Sequence, residues 1–165
     1  MSGLKFIAAA LLLTLLSIPS TGFALKKGEQ FPTLSGKTLT GEKFDINSLN
    51  GHPVLLKVGT TWCPTCEQQS KEIDKLRSFL ATNQIKFIEV FIQENAKKVR
   101  TFLDKNDHQL PDIVIIDQGK IARALNIYLI PRIILINKDF QVYRDGDPLP
   151  SDALKQELLE MLTEK

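Results

Sequence analysis

From Pro53 onward the apolar positions switch between two periods, and the switching predicts the elements. Residues 54–58 are an apolar run interrupted only by Lys57, and the proline ahead of them is tolerated at a strand start. Ile73, Leu76, Phe79 and Leu80 recur at helical spacing and predict a helix within 64–82. Residues 85–92 form a strongly apolar strand, and Val99, Phe102 and Leu103 predict a helix over about 95–106. A short β-branched strand follows at 113–116, then a short helix set by Ile121 and Leu125. Residues 132–137 and 140–144 flank Lys138-Asp139 as a hairpin. Leu154, Leu158, Met161 and Leu162 form the stripe of a closing helix, with Ser151 as its expected N-cap. Ahead of Pro53, glycines punctuate short stretches, and a small hairpin is expected around 33–39 and 42–46. Strands alternating with helices, then a hairpin and a helix, predict an α/β sheet covered on both faces.

The first residues follow a different pattern. Lys5 is the only charge before residue 26 and precedes a run, 6–18, that is apolar apart from Thr14 and Ser17. Gly22-Phe23-Ala24 puts small residues at the −3 and −1 positions of a cleavage site. A charged start, a short apolar centre and a small-x-small end read as a secretory signal peptide over 1–24, which leaves 25–165 as the folded domain. The apolar run covers about 20 Å of helix against a hydrocarbon core of roughly 30 Å, so a retained, outward-facing membrane anchor is the competing reading. Either way the body is expected to be periplasmic or otherwise exported, and to meet a membrane only if that segment stays. No cysteine lies near the cleavage site, so a lipid-modified terminus is excluded.

Composition narrows the class. A chain of 165 residues, 43% apolar, can bury one core without metal or disulfide staples and is not disordered. With 21 Lys+Arg against 19 Asp+Glu and no basic block, nucleic acid is not an expected partner. No repeat or linker marks a second domain, and a monomer is expected. Two cysteines exclude a disulfide-dense scaffold, and outside the cytosol such a pair is redox-active or disulfide-bonded more often than a bystander.

Both cysteines lie in Trp62-Cys63-Pro64-Thr65-Cys66, where the strand gives way to the helix. Unpaired N–H groups and the positive end of the helix dipole favour an anion there, so a cysteine ionises more readily and becomes a nucleophile. Pro64 suits the first turn, where its missing N–H would be unpaired anyway. Two intervening residues bring the second sulfur within bonding reach, so the pair can cycle between dithiol and disulfide. Cys63, at the helix mouth, is expected to be the exposed nucleophile, and Cys66, one turn further in, the buried resolving thiol. A purely structural disulfide is weakly motivated, because closing so small a loop removes little chain entropy. Half of a zinc or copper site would need further ligands, and only His52 and His108 are on offer.

The segment 54–66, with its Trp-Cys-Pro-Thr-Cys, resembles the active-site strand and helix start of thioredoxins. It is closest to the exported TlpA/ResA-like branch, which includes the cytochrome c maturation thiol reductases. Residues 117–136, with Ile130-Pro131 leading into a strand, resemble the same branch, as does the early hairpin. The resemblance covers 28–164. It implies a thioredoxin fold with an N-terminal β-hairpin extension and a short βα insertion before the proline strand. It also implies an exported thiol–disulfide oxidoreductase whose only redox group is the Cys63–Cys66 disulfide, with no metal and no other cofactor. Its partners would be exported protein disulfides or thiols and a membrane or periplasmic thiol redox partner. Pro131 would be cis and packed beside the cysteines, with Ile130 presenting its backbone to an extended substrate; the alternative is an ordinary trans proline opening the strand. Trp62 would be either a platform that substrates contact or simple helix packing. Thr65 completes the Pro-Thr dipeptide that points to the cytochrome c group.

Two departures matter. Cytochrome c maturation relatives usually carry a glutamate three residues after the second cysteine, and here that position is Gln69. Cytochrome c maturation thiol reductase is therefore an alternative reading. A copper carrier on the same scaffold is another, although such carriers typically space their cysteines by three residues. The second departure is Lys57. Thioredoxins hold a buried aspartate six residues before the first cysteine, proposed to move protons for the second thiol. An unpaired buried lysine would lose several kcal/mol in desolvation, so Lys57 must reach water, lose its proton or find a partner. If the strand at 85–92 lies alongside, Glu89 aligns with the lysine that faces that aspartate, giving the same pair with charges exchanged. The alternative is that Lys57 reaches past the sheet into solvent.

Overall fold

The computed structural model describes residues 24–105 and 111–164. The expected leader up to residue 23, His108 and the last residue of the helix expected at 95–106 lie outside the described residues. The strands are β1 (Ser35–Thr38), β2 (Lys43–Asp45), β3 (Val54–Gly59), β4 (Lys86–Ile92), β5 (Ile113–Asp117), β6 (Arg132–Ile136) and β7 (Val142–Gly146). The helices are α1 (Pro64–Asp74), α2 (Arg77–Thr82), α3 (Ala96–Lys105), α4 (Lys120–Ala124) and α5 (Ser151–Thr163), and a 3₁₀ turn covers Ile46–Leu49. The strands form one sheet in the order β2-β1-β5-β4-β3-β6-β7. β3 pairs with β4, and β4 with β5, in parallel; the other neighbours are antiparallel. The expected β1–β2 hairpin and β5–α4 insertion extend one edge of a thioredoxin-like core.

Strand period decides which side chains the active-site helix sees. Leu55 of β3, Phe87 of β4 and Ile133 and Leu135 of β6 bury against Ile73, Leu76 and Leu80 of the α1–α2 arm and Leu154, Leu158 and Met161 of α5. Their neighbours Leu56, Val58, Ile88, Val90 and Ile134 bury on the opposite face with Phe31, Ile46, Ile121 and Phe140. Lys57 and Gly59 share the parity of Leu55 and so face α1. β3 is central and buried along its whole length, as its apolar run requires.

Three expectations change. The helix expected within 64–82 is two helices, because the chain tightens where the Leu76 N–H donates to the Ile73 carbonyl at 2.9 Å. Leu76 stays buried through that break. Phe140 and Gln141 belong to a longer β6–β7 turn in which Phe140 adopts φ +62° and Asn137 Oδ1 accepts from the N–H groups of Asp139 and Gln141. Ser151 is not an N-cap; it is the first residue of α5 and its N–H donates to Glu72 Oε2 on α1 at 2.9 Å. The preceding Pro150 carries no side-chain acceptor, so the neighbouring helix caps α5 instead. Among the described residues no helix is long and apolar enough to cross a membrane.

Candidate active site

β3 ends at Gly59, and three residues carry the chain to Cys63, the N-cap of α1, with Pro64 in the first helical turn. Cys63 has extended backbone angles, so its sulfur turns back over the helix mouth and accepts from the Cys66 N–H at 3.1 Å. Thr65 Oγ1 lies 3.2 Å from the same sulfur. The cysteines form a disulfide, with Cα atoms 5.2 Å apart. Cys63 is less open than expected, at 8% exposure, but remains the more accessible cysteine beside Cys66 at 1%. Helix packing covers the second cysteine, and the helix mouth leaves the first an opening.

The bond from Ile130 to Pro131 is cis. β6 runs antiparallel to β3 with Arg132 opposite Val58, so Pro131 stands beside the end of β3 that leads to the cysteines. Pro131 is buried and Ile130 half-buried against the core. Trp62, Tyr128 and Leu129 are exposed at 68%, 71% and 76%. Two chain segments thus present large apolar side chains to solvent around the cysteines and the proline, and Tyr128 and Leu129 were not singled out from sequence. Their signal was available: an apolar pair immediately ahead of Ile130-Pro131.

Beneath Cys66 the sheet carries charge. Lys57 and Glu89 are register partners on β3 and β4, and the lysine ammonium pairs with the Glu89 carboxylate. Both are buried, at 1% and 3% exposure, so Lys57 does not reach solvent. Its Nζ also donates to Ser70 Oγ at 2.5 Å, and Ser70 Oγ donates to the Cys66 carbonyl at 3.3 Å. A continuous hydrogen-bonded path therefore joins the buried pair to the backbone of the second cysteine. Gly59 permits this approach: a Cβ there would sit 3.1 Å from Cys66 Sγ and 3.2 Å from Cys66 Cβ.

Three further residues shape the site and were not assigned these contacts from sequence. Glu94, buried after β4, accepts from Thr61 N–H at 3.0 Å and Thr61 Oγ1 at 2.5 Å, holding the loop before Trp62. Gln69 is buried and uses both halves of its amide: Nε2 donates to the Leu149 carbonyl at 3.1 Å and Oε1 accepts from the Leu149 N–H at 2.7 Å. A carboxylate could make only the second of these bonds. Glu72 is held at about 2, well below the usual carboxylate range, by Lys75 and then by the Ser151 N–H. Among the described residues no group of three or more His, Cys, Asp and Glu side chains is gathered to hold a metal ion.

Comparison with known proteins gives the same picture. The family model described as Redoxin matches residues 26–152. The chain is 30% identical over 118 residues to the thioredoxin-like protein YneN of Bacillus subtilis, covering 69% of this chain and 67% of that protein. It is 27% identical over 138 residues to the thiol-disulfide oxidoreductase ResA of Halalkalibacterium halodurans, covering 83% and 77%. Among solved structures, a thiol:disulfide interchange protein of the thioredoxin family from Chlorobium tepidum superposes with a TM-score of 0.70 at 21% identity, covering 84% of this chain and 99% of that one. StoA from Bacillus subtilis superposes at 0.64 and 22% identity, covering 77% and 96%. At those identities the solved structures speak for the fold alone.

Proposed function

Because the chain belongs to the Redoxin family and is a thiol–disulfide oxidoreductase, we propose that it reduces disulfides of exported proteins outside the cytosol, with Cys63 as nucleophile. The observation that carries the assignment of roles is the asymmetry of the two sulfurs: Cys63 at the helix mouth, Cys66 under the helix. In the dithiol form, Cys63 thiolate attacks a substrate disulfide and expels one substrate sulfur as thiolate. Cys66, once deprotonated, then attacks Cys63 Sγ, breaks the mixed disulfide and releases the second substrate thiol. Two electrons have moved to the substrate, and the Cys63–Cys66 disulfide waits for a thiol redox partner to reduce it.

Trp62, Tyr128 and Leu129 give an extended substrate apolar surface, while Ile130, ahead of the buried Pro131, presents its backbone to the substrate. Pro64 sets the helix start, and Thr65 supplies a hydroxyl at the attacking sulfur. Lys57 and Glu89 act on the second step as a buried charged pair beneath Cys66, tied to its backbone through Ser70, with Glu89 as the carboxylate that takes the Cys66 thiol proton. Export rests on the leader pattern of residues 1–24 and its cleavage site. Haem-protein maturation finds no support at Gln69, whose amide is committed to Leu149.

The test is trapping. Cys66→Ser should accumulate mixed disulfides with exported proteins, and Cys63→Ser almost none. Equal trapping by both variants contradicts the assignment.

A further inference from the structure

Among the described residues, the first long-range hydrogen bond is made at one backbone nitrogen. Leu25 N donates to Asp145 Oδ2 at 2.7 Å, across 120 positions of sequence. From there the segment is zipped onto the β7 edge. Gly28 N–H donates to the Val142 carbonyl, Val142 N–H to the Glu29 carbonyl and Phe31 N–H to the Phe140 carbonyl, each at 2.8 Å. Lys27 lies 3.9 Å over the Tyr143 ring and pairs with Glu164 at 2.8 Å. Asp145 itself is enclosed, its side chain 0% exposed, and it holds Arg132 by two bonds, one from Nε and one from Nη2 at 2.6 Å. Arg132 directly follows Pro131. Ala24, by contrast, is exposed and lines a cleft with Tyr128, Leu129 and Pro131.

The sequence marks the same bond independently, since Gly22-Phe23-Ala24 ends a leader pattern at Ala24. Resting on the export reading above, we infer that Leu25 is the first residue of the working protein and that its α-ammonium is seated on Asp145. Hydrolysis of the Ala24–Leu25 peptide adds one water and leaves the Ala24 carboxylate on the released leader. The Leu25 nitrogen changes from an amide with one N–H to an ammonium with three, in place against a buried carboxylate. Asp145 then bridges two cations, the new terminus and Arg132, and ties β7 to the start of the proline strand. Loss of Ala24 also removes one wall of the cleft beside Pro131.

Among the described residues the charges around this ammonium are few. Asp145 and Arg132 face it from β7 and β6, and Asp147 lies across the cleft. On its own segment, Glu29 accepts from the Lys26 N–H and Lys27 is turned to Glu164. An α-amino group ordinarily titrates near 8. Asp145 favours its charged form and Arg132 opposes it, the nearer carboxylate dominating. The stability it contributes is therefore present below about pH 8 and is lost as pH rises through the folded-state value.

The experiment uses the exported protein recovered from outside the cytosol. Its intact mass should begin at Leu25; another first residue overturns the inference, whereas failure to find the protein outside the cytosol overturns export. The α-amine of the recovered protein is then selectively acetylated, which removes the charge and keeps one N–H. Acetylation should lower Tm by about 3 °C at pH 6 and by almost nothing at pH 10. In Asp145→Asn the acetylation effect should vanish at both pH values; if that variant does not fold, the pH dependence in the wild-type chain decides. Equal Tm with and without acetylation at pH 6, in protein proven to start at Leu25, overturns the inference.

Discussion

Among the described residues two buried cation–carboxylate pairs bridge neighbouring strands, and they face different things. Lys57 and Glu89 meet across the central parallel pair β3–β4, on the side covered by α1, where Ser70 connects them to the second cysteine. Arg132 and Asp145 meet across the antiparallel pair β6–β7, where Asp145 also takes the Leu25 N–H. Arginine offers a planar fork that fixes orientation, whereas lysine is a compact charge on a flexible stem that exchanges protons more readily. The arginine pair is suited to holding the proline strand in place. The lysine pair is suited to answering a change of charge at a sulfur. Burial alone therefore does not say what an ion pair is for; the contacts beyond the pair do.

The largest effect should come from breaking the arginine pair. Asp145→Ala leaves a guanidinium enclosed without its carboxylate and should cost about 3–5 kcal/mol in urea unfolding. The rate of disulfide reduction per folded molecule should stay within about twofold. The lysine pair should behave the other way. Replacing both members, Lys57→Met with Glu89→Leu, removes two buried charges together and should leave stability within about 1 kcal/mol of wild type. Reduction of a model disulfide at pH 7 should nevertheless slow by about 3–10-fold, since an adjacent charge shifts thiol ionisation by a unit or more.

Smaller changes sharpen the same contrast within α1. Gln69→Glu keeps the acceptor for the Leu149 N–H but loses the donor to its carbonyl, and should cost about 1–2 kcal/mol. Glu72→Gln should cost at most about 1 kcal/mol, because the Lys75 partner is exposed and only the Ser151 contact is sheltered. Glu72 is lowered from 4.5 to about 2 in the fold, so its contribution is present above pH 4.5 and lost as pH falls toward 2. Thermal unfolding of Glu72→Gln should show a flatter acid limb over that interval and a constant small deficit relative to wild type above it.

The same pairs show where sequence was informative. Lys57 was legible because a charge inside an apolar strand demands an explanation, and the resemblance to thioredoxins pointed to the strand alongside it. Glu89 followed from strand alignment. Ser70 did not, because a serine inside a helix gives no sign of which way its hydroxyl points. Asp145 was illegible for another reason: it sits in the polar run Arg144-Asp145-Gly146-Asp147, where one enclosed carboxylate looks like its neighbours. Its pairing depends on a β6–β7 register that shifts between Leu135 and Ile136, and on a Phe140 turn that no pattern announces. The elements themselves were recovered well wherever the apolar period was long. They were missed where tertiary contacts decide, as at the α1–α2 break and the cap of α5.

The measurement that bears most directly on the lysine pair is the pH profile of mixed-disulfide resolution at Cys63, taken in single turnover from pH 6 to 9. Wild type is to be compared with Glu89→Gln, Lys57→Met and Asp145→Asn. If the buried pair beneath Cys66 governs that step, Glu89→Gln and Lys57→Met each change the shape of the profile, while Asp145→Asn leaves its shape as in wild type. Wild-type rates across the whole range in both Glu89→Gln and Lys57→Met would contradict the account.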